Sequence, residues 1–111
     1  MELDFQQRFR DIITKMDAVG QEYALAKGQS WQAQELKHSI LSSIMNSLEG
    51  PISQREMQAR ASDDYKKYIA ETAQAITKEL KLKSTYEKYK ASFEAMRSLS
   101  SLEKSIINKT E

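Results

Sequence analysis

The chain has 111 residues, with 17 Lys and Arg against 16 Asp and Glu, one His and no Cys. That length suits one domain with a modest core, and the near-neutral balance excludes a global attraction to nucleic acid or membrane, so any such partner must meet a local face. The absence of cysteine excludes disulfides, thiolate metal sites and cysteine nucleophiles, and it fits a reducing compartment. The opening Met1-Glu2-Leu3-Asp4-Phe5 is acidic where a signal peptide is basic, and no apolar run reaches the length of a membrane span. The expected location is the cytoplasm, the host cytoplasm if the chain is viral, with no membrane partner.

Phe5, Phe9, Ile12, Met16, Val19, Tyr23 and Ala26 alternate spacings of four and three, the pattern of one apolar stripe on a helix. A helix is expected over about 5–27, started by Asp4 and ended at Gly28. Gly20 lies inside it beside the stripe, where glycine costs up to about 1 kcal/mol against alanine; a close helix crossing would account for it. A second helix, about 30–49, is capped by Ser30 and carries Trp31, Leu36, Ile40, Leu41, Ile44, Met45 and Leu48. These residues form more than one narrow row, so this helix is expected to be contacted on two sides, with Trp31 anchoring the turn before it. Glu49-Gly50-Pro51 ends it.

From Ile52 to Glu111 there is neither glycine nor proline. Ser53 with Glu56 has capping-box spacing, and Ile52 with Met57 holds the staple positions, so a third helix is expected over about 53–82. Its stripe is read as Met57, Ala61, Tyr65, Ile69, Ala73, Ile76 and Leu80, with Tyr68 and Thr72 alongside and Ser62-Asp63-Asp64 as its weak point. Beyond Leu82 the register passes to Tyr86, Tyr89, Phe93 and Met96, continued less regularly by Leu99, Leu102 and Ile106, and Ser84 with Glu87 repeats the capping-box spacing. A fourth helix is expected over about 84–108; the alternative is one uninterrupted helix through Ser84. As a single rod such a stretch far exceeds the radius of gyration, about 13 Å, of a compact domain this size, so it folds back or finds a partner.

No catalytic, cofactor or metal site is expected. His38 has no cysteine or acid cluster at ligand spacing, the three glycines form no phosphate loop, and Ser98, Ser100 and Ser101 lack a base placed by any recognisable motif. Lysines interleaved with tyrosines stand out instead: Lys78, Lys81, Lys83, Lys88 and Lys90 surround Tyr86 and Tyr89. Such a pairing of cations and rings holds single-stranded nucleic acid, while the plainer reading makes the tyrosines core residues with lysine stems lying over them. Ala91, Ala95, Ser98 and Ser105 form a row of small residues that suits a close helix contact.

Ala59-Arg60-Ala61-Ser62-Asp63-Asp64-Tyr65, then Tyr86-Glu87-Lys88-Tyr89-Lys90 and Phe93-Glu94-Ala95-Met96-Arg97-Ser98, together resemble small helical proteins encoded in the early and recombination regions of tailed bacteriophages. The resemblance covers roughly the second half of the chain. It implies a viral accessory role near single-strand annealing or binding functions, and it supplies no site residues.

The expectation is therefore a single all-α domain over 1–111, a hairpin or bundle of three or four amphipathic helices. It self-associates, most simply as a dimer, through Phe5, Phe9, Ile12, Met16, Phe93 and Met96. The expected function is non-enzymatic: an accessory factor acting through protein contacts in DNA processing or recombination. The alternatives are an inhibitor of a host defence or nuclease protein, and a direct binder of single-stranded nucleic acid through residues 78–90. Ile40→Asp is expected to destabilise the fold by several kcal/mol, since it forces a carboxylate onto the apolar face, whereas His38→Ala changes little. Thermal melts of the two variants compare them.

Overall fold

The computed structural model describes residues 2–110, with side chains described for residues 4–107. Four helices follow in order: α1 (Glu2–Glu35), α2 (Lys37–Asn46), α3 (Ile52–Ala61) and α4 (Asp63–Thr110). No strand occurs among the described residues, so the all-α class holds. Contacts gather the chain into two compact units, Met1–Tyr23 with Lys81–Glu111, and Ala24–Leu80.

The seam of α1 continues past the point where the sequence suggests a stop. Ala26 and Ser30 are buried and Ala33 half-buried, so the alternation of four and three runs on from Phe5 through all three. Gly28 is exposed on the outer side and the helix passes through it, at the cost of propensity alone. The expected break at Gly28 is therefore absent, and Ser30 caps nothing. Its hydroxyl, fully buried, accepts a hydrogen bond from Gln34 Nε2 at 3.1 Å. Trp31 does not anchor a turn, because the chain does not turn there; it is 64% exposed. The interruption falls later, at Leu36, and even there Leu36 N donates to Gln32 O and Ile40 N to Leu36 O, both at 3.0 Å.

α4 is one helix of 48 residues. Its inward row is Tyr65, Tyr68, Thr72, Ala75, Glu79, Leu82, Tyr86, Tyr89, Phe93, Met96 and Ser100, all buried or half-buried at unbroken spacings of three and four. The expected stripe through Ile69, Ala73 and Leu80 is corrected by one helical step, since all three are exposed. Between Tyr68 and Leu82 that row is small or polar, and the large apolar residues there trace a neighbouring row, in which Ile76 is half-buried and Ile69 and Leu80 are exposed. The change of register near Leu82 came from that substitution, and no break follows at Ser84. Ser84 is exposed within the helix, and neighbouring Thr85 Oγ1 donates back to Lys81 O at 3.0 Å.

The break lies at Ser62 instead, within the weak point the sequence marks. Ser62 has extended backbone (φ −69°, ψ 150°). Its hydroxyl donates to Ala59 O at 2.6 Å and accepts from Tyr65 N at 3.2 Å, closing α3 and capping α4 with one side chain. At the start of α3 the expected capping box does not form. Pro51 holds the cap position with no side-chain bond, and the Glu56 carboxylate turns forward to Arg60 at 2.9 Å. That hydrogen bond, with the carboxylate's charge, raises the pKa of the Arg60 guanidinium. Ile52 and Met57 are exposed, so no staple is buried.

In the unit Ala24–Leu80, α2 packs against α3 around Leu41, Ala59 and Tyr65, with Ile44, Met45 and Leu48 against them. Gly50, at φ 111°, turns the chain between the two helices in a conformation that a side chain disfavours. Tyr68 donates its hydroxyl proton to Ala33 O beside the end of α1. Ile40 is half-buried and His38 exposed.

In the unit Met1–Tyr23 with Lys81–Glu111, α1 and α4 run antiparallel: Phe9 stacks on Phe93 at 5.4 Å between centroids, and Tyr23 meets Tyr86 at 6.1 Å. Each aromatic pair contributes about 0.5–1.5 kcal/mol beyond its buried area. Gly20 is the close approach the sequence suggests, since a Cβ there would lie 3.2 Å from the Tyr86 ring.

Two serines separate the sequence reading from the structure. Ser62→Ala is expected to cost about 1–2 kcal/mol by removing the cap, whereas Ser84→Ala leaves stability unchanged or raises it by up to about 0.5 kcal/mol. Urea unfolding of both measures this, and the opposite order would place the break at Ser84.

Candidate functional site

The residues expected to mediate self-association lie on the seam within one chain. Phe9 and Phe93 stack on each other, Phe5 stacks on Phe9 at 6.3 Å, and Ile12, Met16 and Met96 are half-buried beside them. Phe5, Ile12 and Met96 also form the apolar floor of an open groove of about 730 Å³ along this antiparallel pair. Its α1 side is Asp4, Arg8, Asp11 and Lys15, whose charges alternate; its α4 side is Ser92, Ala95 and Leu99.

On the α4 side, Leu99 and Leu102, expected as a less regular continuation of the seam stripe, are exposed beside it. Ser92, Ala95, Leu99 and Leu102 repeat at three, four and three, one step around the helix from the seam residues Tyr89, Phe93, Met96 and Ser100. The last part of α4 therefore carries two adjacent stripes, one covered within the chain and one open. Leu99 and Leu102 are 57% and 58% exposed. The signal was available in the spacing, but Ala95 was grouped with Ala91, Ser98 and Ser105 as a row of small residues, and Ser92 was not singled out.

The lysines separate into rows. All five are exposed; Lys78 belongs to the unit Ala24–Leu80, and the other four to its companion. Lys81 and Lys88 share one row of α4, seven residues apart, and Lys83 and Lys90 another, with Glu87 and Glu94 on a row between them. The Lys83 row continues with Arg97 and Lys104, both exposed and missed in the sequence reading, for which seven-residue spacing is again the signal. Along it the steps are about 10.5 Å. None of the four is ion-paired, because the one salt bridge among the described residues joins Arg60 and Glu56. Tyr86 and Tyr89 are half-buried on the seam, so their rings serve packing.

Among the described residues no group of three or more His, Cys, Asp or Glu side chains is placed to hold a metal ion, and no helix is long and apolar enough to cross a membrane. No family model, curated protein or solved structure matches this chain.

Proposed function

We propose that this is a non-enzymatic interaction protein that acts by docking a helix on the groove face of the α1–α4 pair. The observation that carries the reading is the second stripe of α4, Ser92, Ala95, Leu99 and Leu102, with two leucines more than half exposed above an apolar floor. An amphipathic helix is the natural complement of such a groove, since its own three-and-four spacing matches the row it meets. An accessory role in DNA processing or recombination rests on the bacteriophage resemblance of residues 59–98. A host defence or nuclease protein as the docked partner would make the same face inhibitory. A photo-crosslinking amino acid at Ser92 is expected to give one discrete adduct in the native cellular setting, and the same group at Lys66, on α4 in the other unit, none. Scattered or absent adducts at both positions would remove the docking face.

A second reading follows from the unbroken helix through Ser84, which aligns Lys83, Lys90, Arg97 and Lys104 in one row that single-stranded nucleic acid could follow. Four neutralised phosphates give a slope of log affinity against log salt near −2.8, at roughly −0.7 per contact. Fluorescence anisotropy across salt concentrations is expected to return that slope, and Lys90→Gln with Arg97→Gln to halve it. No saturable binding at low salt would eliminate this reading.

A further inference from the structure

The groove face is complementary to itself. We propose that its occupant is a second copy of this chain, lying antiparallel on the same face and related by a two-fold axis level with Gln6 on α1 and Arg97 on α4. The stacked pair Phe9–Phe93 fixes which residues of the two helices are level, and counting from it brings Gln6 and Arg97 to nearly the same height. One axis there sets three kinds of pair at once. Ala95 lies opposite Leu99 of the second copy, Ser92 opposite its Leu102, and Asp4 opposite its Arg8. The two leucines thus meet small residues, and the acidic rim position meets a basic one. The same axis repeats every pair a second time by symmetry, as an isologous interface requires.

Each pair follows from a row already described. Asp4, Arg8, Ala95 and Leu99 line the groove, and Leu102 continues its α4 row by spacing. Small opposite large is how two helix faces interdigitate without voids, and Leu99 with Leu102 supplies the exposed apolar area that association would cover. With a formal net charge of +1, two copies meet no long-range repulsion. The product is a four-helix arrangement of two antiparallel pairs, with the Phe9–Phe93 seam intact in each.

The proposal rests on the docking-face reading above and is tested separately from it, by sedimentation equilibrium of the full chain at micromolar concentrations. The unmodified protein is expected at twice its 12.8 kDa mass. Asp4→Arg sets two guanidinium groups against each other across each rim pair, and Arg8→Asp sets two carboxylates together there. Each is expected to weaken the dimer at least about tenfold while leaving helicity by circular dichroism unchanged. Mixing the two variants restores attraction at both rim pairs, so the mixture is expected to form a heterodimer that neither forms alone. Leu99→Asp with Leu102→Asp is expected to give a folded monomer that mixing does not rescue. A chain that stays at 12.8 kDa throughout overturns the proposal. So does a dimer indifferent to both charge reversals, which would lie on another surface. A monomeric chain whose Ser92 position crosslinks to a different protein overturns the second copy and leaves the docking face standing.

Discussion

The three-and-four repeat of side chains along α1 and α4 is the constraint on which the remaining architecture depends. A helix of 48 residues without glycine or proline has little reason of its own to stay in one place. What holds its part beyond Lys81 is the row that begins at Leu82 and meets Phe9, Gly20 and Tyr23 across the antiparallel pair. Its aromatic contacts are one stacked pair and one tilted pair, and Gly20 admits a tyrosine ring. A narrow seam of this kind buries one stripe of each helix and leaves the adjoining rows to solvent. The aromatic side chains of the pair are consequently half-buried, and among the described residues the buried positions, Ala26, Ser30, Leu41, Ala59 and Tyr65, all sit in the other unit.

That narrowness leaves the chain a second face. A seam that takes only one stripe leaves the next available, and α4 fills the next with Ser92, Ala95, Leu99 and Leu102. The small residues come first and the leucines second. Such a gradient suits an antiparallel neighbour better than a parallel one, because reversal sets small against large. The alternating charges of Asp4, Arg8, Asp11 and Lys15 follow the same logic on α1. On the outer flank Lys83, Lys90, Arg97 and Lys104 repeat with the same seven-residue period, so the helix carries apolar, small and basic rows as separate surfaces.

Periodicity and residue type determined that the chain is all-α, that the stripe from Phe5 to Ala26 faces inward, that Gly20 marks a close approach, and that residues 62–64 weaken a helix. These are local statements, set by spacing, propensity and the backbone freedom of particular residues. Which of two adjacent rows is buried was not local. Thr72, Ala75 and Glu79 turn inward although Ile69 and Leu80 are more apolar, because they continue the row of Tyr65 and Tyr68 along the helix. The same global register carries α1 through Gly28 and buries Ser30, and it makes Ser84 an ordinary surface serine although its spacing from Glu87 imitates a cap. Ser53 and Ser62 show the converse: both have capping side chains in sequence, and only the tertiary turn at Ser62 leaves a helix start there for a hydroxyl to cap. Helix type was therefore decided by the residues themselves. Helix boundaries, and the choice of which apolar row remains open to a partner, were decided by packing over distances that no window of sequence contains.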